Sequence, residues 1–256
     1  MSRAPRSLFV DVAGLRTHFL ACGEDGPALL LLHGTAIDSA SLTYGGIVRT
    51  LGERFRVFAM DWPGYGRSRP HEQGHDFAFL RGFLSAAIDA LQLHRPTVAG
   101  FSMGGAAALG LALEQPDRVA RLVLIDSYGL GGTLHLPVLP YVALRISVAN
   151  EQVWAALRRS RRILRWFLAH IVLGDPRLAT PGLVEEVHEQ LRTPGSEEAF
   201  MKWLQQEIRP GRLRTSYRRQ LPQLRTPTLF LHGSRDLIDL RRLRNYVIRK
   251  LLVIRI

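Results

Sequence analysis

The stretch Gly100-Phe101-Ser102-Met103-Gly104 decides how this chain is read. It follows the apolar run Thr97-Val98-Ala99 and precedes the small-residue run Gly105-Ala106-Ala107-Ala108-Leu109. The pattern predicts a strand ending at about Ala99 and a helix starting at about Met103, with the serine on the sharp turn between them. A G-x-S-x-G turn in that setting is strained and pushes its hydroxyl out above a sheet. The glycines have a steric reason. A Cβ two residues before or after the serine would strike the neighbouring strand and helix. The plainer reading is a tight turn with a solvated serine; the strand before it and the helix after it favour a reactive one.

Upstream, Leu8–Val12 and Thr17–Ala21 flank Gly14-Leu15 as two strands around a turn. Ala28–Leu32 is a continuous apolar run, as expected for a strand buried on both faces of a parallel sheet. Ser41–Leu51 reads as a helix weakened by Gly45-Gly46, and Arg56–Met60 as a strand. Phe77–Leu91 has helical spacing, with Phe79, Phe83, Ala87 and Leu91 on one face. Past the serine turn come a helix to Gln115, stopped by Pro116, and a strand Leu122–Ile125. Strand and helix alternate with short connections, which predicts an α/β fold with a mostly parallel central sheet and helices on both faces.

After Gly129-Leu130-Gly131-Gly132, Pro137 and Pro140 the rhythm changes. Residues 141–171, 183–191 and 197–208 read as helices without strands, and strand signal resumes only at Thr228–Leu231. The expected organisation is a first core part at 1–129, a helical cap insertion at 130–215 and a second core part at 216–256. Within the insertion, Arg158-Arg159-Ser160-Arg161-Arg162-Ile163-Leu164-Arg165-Trp166-Phe167 mixes dense arginine with bulky apolar residues. The favoured reading is a helix with its apolar stripe on the domain and its arginines in water. The rival reading is a basic amphipathic helix on an anionic membrane surface.

The 256 residues are enough for one α/β domain with a sizeable core. No apolar run approaches the roughly 18 residues of a membrane-spanning helix. The single cysteine, Cys22, excludes an internal disulfide and a cysteine zinc site and fits a reducing compartment. Met1–Val12 lacks the apolar core of a signal peptide, so a cytoplasmic location is expected. The net charge of +12 is uneven: residues 1–128 balance 12 basic against 12 acidic groups, and the remainder holds 22 against 10. No nucleic-acid motif accompanies the excess, so it reads as an arginine-rich surface and no nucleic-acid partner is expected.

Four motifs then fall into one order, each at a strand end. They are His33-Gly34, Asp61-x-x-Gly64-x-Gly66-x-Ser68, Gly100-x-Ser102-x-Gly104 and His232-Gly233-Ser234-Arg235-Asp236. Together they resemble the α/β-hydrolase family, from about Leu8 to Asp236, with the helical insertion interrupting. The resemblance implies a cofactor-independent serine hydrolase of the capped esterase or C–C hydrolase kind, acting on a small ester or a carbon–carbon bond next to a carbonyl. No metal or cofactor is implied. Ser102 takes the place of the nucleophile, and the amides of Met103 and Thr35 take the oxyanion positions. Asp236 takes the place of the acid that orients the imidazole, and Asp126 is the position some relatives use instead; its plainer reading is a strand-end carboxylate capping a turn. His33, Asp61 and Ser68 are expected to shape their loops.

One part of the pattern is missing. The family's order is serine, acid, histidine, and no histidine follows Asp236; the nine lie at 18, 33, 71, 75, 94, 135, 170, 188 and 232. Leu240–Arg249 and Leu251–Ile256 read as the following helix and last strand, after which a base would be expected. The sequence thus reads as C-terminally truncated before its histidine, and a frameshift near residue 240 would also explain the run Arg241–Tyr246. Serine without a base is a poor nucleophile, and residual catalysis on the order of 10³–10⁴ over water is what triad knockouts retain. His71, His75, His135, His170 and His188 are the candidates to replace it in space. The rival function is a catalytically impaired relative that binds small apolar ligands. The sequence leaves the substrate and the oligomeric state open.

Overall fold

The computed structural model describes residues 4–72, 75–131, 147–173, 175–192, 195–209, 212–233 and 251–255. Asp236, His135, Gly132, Pro137, Pro140, the run Arg241–Tyr246 and the helix expected at Leu240–Arg249 lie outside them. In chain order the elements begin with β1 (Arg6–Val12), β2 (Leu15–Cys22), β3 (Ala28–Leu32), α1 (Ala40–Leu51) and β4 (Arg56–Met60). Then come α2 (Phe77–Ala90), β5 (Thr97–Phe101), α3 (Met103–Glu114) and β6 (Arg121–Ile125). Four helices follow, α4 (Ser147–Arg159), α5 (Arg161–Phe167), α6 (Pro181–Leu191) and α7 (Ser196–Glu207), with a π-turn at Leu168–Val172. The chain closes through β7 (Ile208–Arg209), β8 (Arg212–Leu213), β9 (Thr228–His232) and β10 (Leu251–Arg255).

Eight strands form one sheet in the order β1-β2-β4-β3-β5-β6-β9-β10. The pairs β1/β2 and β2/β4 are antiparallel and all the others parallel. This is the expected mostly parallel sheet. The reason is visible in β3, whose five residues are all buried. Successive side chains point to opposite faces. Leu30 and Leu32 enter the core under α2 and α3, while Leu29 and Leu31 enter a second core with Ala40, Tyr44 and Val48 of α1. Each such leucine contributes roughly 1.5–3 kcal/mol relative to exposure, and a continuous apolar run is what two covered faces require.

The helices start where caps are available. Ser39 Oγ accepts from the Leu42 amide at 3.2 Å at the start of α1, and Asp76 Oδ1 from the Phe79 amide at 2.9 Å at the start of α2. Gly45 and Gly46 face open space and leave α1 unbroken. The helix α3 is different. Met103 through Ala112 are all buried, because its small residues let it lie close on the sheet.

Between β6 and β9 the helices α4, α5 and α6 hold a separate core of Trp154, Leu157, Leu164, Leu168, Val184, Val187 and Leu191. Two sequence expectations need correction here. The segment is not free of strand, since β7 and β8 make a two-residue antiparallel ladder, Ile208↔Leu213 and Arg209↔Arg212. A pair that short carries no periodicity to read. Nor does the apolar stripe of α5 lie wholly on the domain. Leu164 is buried, but Trp166 is 58% and Ile163 46% exposed, because the two helices that pack against α5, α4 and α6, leave part of its surface in water.

Candidate active site

The register of the sheet places the motifs. Leu32 pairs with Gly100, Phe101 with Ile125, and Ile125 with Leu231. His33, Ser102, Asp126 and His232 therefore emerge along one edge, where parallel strands end and ligands of open α/β sheets bind.

Ser102 has φ 49° and ψ −114°, a conformation that costs a side chain of order 1–3 kcal/mol and persists only where surroundings impose it. The surroundings do so. The Ser102 amide donates to the Ile125 carbonyl at 3.0 Å, and its own carbonyl accepts from the amides of Ala106 and Tyr128, both at 3.1 Å. The glycines allow the approach. A Cβ on Gly100 would stand 2.5 Å from backbone atoms of Gly104 and Gly105, and one on Gly104 would stand 2.6 Å from the His33 carbonyl oxygen. Ser102 makes no side-chain cap bond to α3. The helix thus begins with the Met103 amide among its intrahelical orphans, at the end where its dipole favours negative charge.

Thr35 reaches the same edge on the loop after β3. A Cβ on Gly34 would meet the Phe101 ring at 3.1 Å, so this loop lies directly against the residue before Ser102. Asp38 fixes it: Oδ2 accepts from the Gly34 amide and Oδ1 from the Ser39 amide, each at 2.8 Å. Thr35 Oγ1 is 2.8 Å from Tyr65 Oη, and burial pushes that phenol far above its ordinary pKa, keeping it neutral.

His33 is a loop-former, as expected. Its Nε2 accepts from the Trp62 amide at 3.1 Å, which leaves Nδ1 the proton it gives to the Gly34 carbonyl at 3.0 Å. Asp61 accepts from the amides of Ala40 (2.7 Å) and Arg67 (2.9 Å) and faces His18 Nδ1 at 2.7 Å. Burial works to raise its carboxyl, but the bond to His18, the polar ring of His33 and the two amides outweigh it and hold the group below the usual range. Ser68 Oγ donates to the Asp61 carbonyl at 2.7 Å and accepts from the His18 amide at 2.9 Å. These groups build the floor of the edge.

Asp126, at φ 42°, accepts from the Gly233 amide at 2.7 Å and lies 2.9 Å from His232 Nδ1. It caps the turn after β9 and pairs with a histidine, a pairing that sequence reasoning missed. Both residues end strands, but nothing linear in the chain says that β6 and β9 are neighbours. The other candidate imidazoles are engaged elsewhere. His75 Nε2 bonds the Pro63 carbonyl at 2.9 Å, with its pKa lowered by burial; His188 Nε2 bonds the Arg158 carbonyl at 2.8 Å; His170 Nδ1 bonds the Trp166 carbonyl at 2.9 Å; His71 stacks on Phe79. Among the described residues, no imidazole is hydrogen bonded to Ser102 and no cluster of three or more His, Cys, Asp or Glu is placed to hold a metal ion.

Beside the edge lies a cavity of about 650 Å³, bounded by Thr35, Leu42 and Phe101 on the sheet side and by Trp154, Leu157 and Val187 on the helical side. Ser102 itself is half-buried and is not part of this lining; its neighbour Phe101 is. Asp38 is the one charged residue of the lining among the described residues.

An open, mostly parallel sheet that carries a strained serine at the strand-to-helix turn on its C-terminal edge defines a class of α/β protein. The family described as alpha/beta hydrolase fold matches residues 27–171, more than half of the chain. The chain is 29% identical over 239 residues to pimeloyl-[acyl-carrier protein] methyl ester esterase of Nitrosomonas europaea, covering 84% of this chain and 79% of that one. It is 32% identical over 232 residues to 2-hydroxymuconate semialdehyde hydrolase of Pseudomonas putida, covering 88% and 76%. Two further relatives are longer proteins, of which the chain spans 33% and 60%. A solved 2-hydroxy-6-oxo-6-phenylhexa-2,4-dienoate hydrolase from Rhodococcus sp. strain RHA1 matches with a TM-score of 0.75 at 22% identity, over 100% of this chain and 90% of that one. The chain belongs to the α/β-hydrolase family.

Proposed function

We propose that this chain is a serine hydrolase that cleaves a small ester, or a carbon–carbon bond adjacent to a carbonyl, through an acyl-enzyme on Ser102. The observation that carries the reading is the backbone of Ser102. A positive φ held by three main-chain hydrogen bonds at the C-terminal edge of the sheet has a cost that a merely structural turn would avoid with glycine. The serine oxygen attacks the carbonyl carbon, and the amides of Met103 and Thr35 stabilise the charge on the carbonyl oxygen; one such donor is worth about 2.7–4 kcal/mol of barrier. The leaving group departs with a proton, water adds to the acyl carbon, and the acid is released. By the resemblance Asp236 holds the place of the acid and Asp126 serves the turn, and no histidine of this chain is assigned as the base. The esterase and C–C hydrolase names of the relatives support the two substrate classes.

The helices α4–α7 act as the cap, and the apolar cavity beneath them takes the part of the substrate that does not react. With Asp38 the one charged lining residue among the described residues, it favours an uncharged group over a carboxylate.

A second reading, a module that binds small apolar ligands without turnover, is favoured by the lining of the cavity, which includes Phe101 but not Ser102. A fluorophosphonate probe separates the two. Labelling that disappears in Ser102→Ala supports the hydrolase, and a folded protein that stays unlabelled supports the module.

A further inference from the structure

Of the seven large apolar side chains left in water among the described residues, six gather on one part of the molecule, the exception being Ile47 (49%) on α1. Ile163 (46%), Trp166 (58%), Ile171 (60%), Val172 (56%), Leu178 (57%) and Val153 (51%) are exposed, all within the helical segment. Scattered single exposures need no explanation, but a contiguous patch does. On α5, Arg162 and Trp166 lie opposite the buried Leu164, with Ile163 and Arg165 exposed on its two flanks. Arg159, Arg162 and Arg165 are exposed, and among the described residues none of them has a carboxylate partner. Their neighbours Arg158 and Arg161 are neutralised by Glu197 and Glu185, at 2.6 Å each. Trp166 is fixed in place by stacking on His170 with ring centroids 5.3 Å apart.

We propose that this face docks on an anionic membrane surface and that the cavity opens onto it. The composition is that of an interfacial helix: a tryptophan and isoleucine to enter the acyl boundary, flanked by arginines for lipid phosphates. Charge complementarity selects an anionic surface over a neutral one, because Arg159, Arg162 and Arg165 stand exposed beside the apolar side chains without a carboxylate partner among the described residues. The cavity supplies the second argument. Val153 and Val172 both line it and are more than half exposed, so its mouth is rimmed by the same apolar patch. An apolar substrate or ligand then passes from bilayer to cavity without crossing water. The proposal goes beyond the hydrolase reading and is measured without turnover, so the two fail separately.

The test is sedimentation of the full chain with phosphatidylcholine vesicles, with and without phosphatidylglycerol. Binding is expected only with the anionic lipid and is lost in high salt. Each basic group near such a surface contributes about fivefold, so Arg162→Ala with Arg165→Ala lowers the partition about thirtyfold. These side chains are exposed and unpaired, so the double variant keeps its fold. Trp62, Trp154 and Trp203 are buried, so a blue shift of emission on vesicles reports Trp166 and is absent in Trp166→Phe. No sedimentation, equal sedimentation with neutral lipid, or binding unaffected by the double substitution overturns the proposal. A lipid-free dimer broken by Trp166→Ser would also overturn it and assign the face to a second copy of the chain.

Discussion

Replacing Ser102 by glycine and, separately, by alanine isolates the strain at this turn from the chemistry of its hydroxyl. Both variants lose the oxygen. Only glycine loses the Cβ that makes φ 49°, ψ −114° costly. The strain is of order 1–3 kcal/mol. Glycine gives back about 0.5–1 kcal/mol through the greater freedom of its unfolded chain. That leaves Ser102→Gly about 0–2.5 kcal/mol more stable than Ser102→Ala, about 1 kcal/mol at the middle of the range, or about 2–4 °C in melting temperature for a chain of this size. Ser102→Ala should melt close to the parent, since it keeps the Cβ and the main-chain bonds to Ile125, Ala106 and Tyr128. Differential scanning calorimetry at matched pH reads the difference, and fluorophosphonate labelling is expected to be nil in both. If the glycine variant melts no higher than the alanine variant, the turn stores no strain and the main support for a reactive serine goes with it.

Other outcomes follow from the same geometry. Gly104→Ala drives a methyl into the carbonyl oxygens of Leu32 and His33 and should cost about 1–3 kcal/mol or more in urea unfolding, whereas Gly82→Ala on α2, where nothing lies within 4 Å, should gain about 0.5–1 kcal/mol. Asp61→Asn removes a buried carboxylate from two amides and His18 and should cost about 3–5 kcal/mol. Because the folded-state pKa of Asp61 is depressed, its contribution is present above the unfolded value of about 3.9 and is lost as pH falls through the lower folded one; the urea midpoint of the parent should drop in that window and that of Asp61→Asn should drop less. Asp236→Asn should lower kcat/KM by more than Asp126→Asn, which can still accept from the Gly233 amide and should leave it within a few fold; the reverse ranking in ester hydrolysis would transfer the acid role to Asp126.

What the chain discloses in linear form depends on how locally each feature is determined. The strands Ala28–Leu32 and Arg56–Met60 are read to the residue, because five consecutive apolar or alternating positions between turn residues leave no other boundary. The edge strand β1 and its neighbour β2 begin earlier than expected, at Arg6 and Leu15, where side chains that face water, such as Arg6, Ser7 and Arg16, carry no pattern. The turn strand runs on to Phe101, since its pairing with Ile125 is set by the neighbouring strand and not by its own residues. The positions of Ser102, Met103 and Thr35 were legible because each sits a fixed step past a strand end. The pair Asp126–His232 was not, for it depends on strand order. The outward turn of Trp166 and Ile163 was missed because spacing shows that an apolar stripe exists, not whether a neighbour is present to cover it.

The separate core inside the helical segment has an evolutionary consequence. Trp154, Leu157, Val184 and Val187 pack with one another and meet the rest of the chain through Ile37, Leu42 and Phe200. Mutations that reshape the ligand chamber therefore fall on side chains from which the sheet draws little support. A lineage carrying this architecture can drift among substrates while the residues that hold Ser102 in its turn stay unchanged.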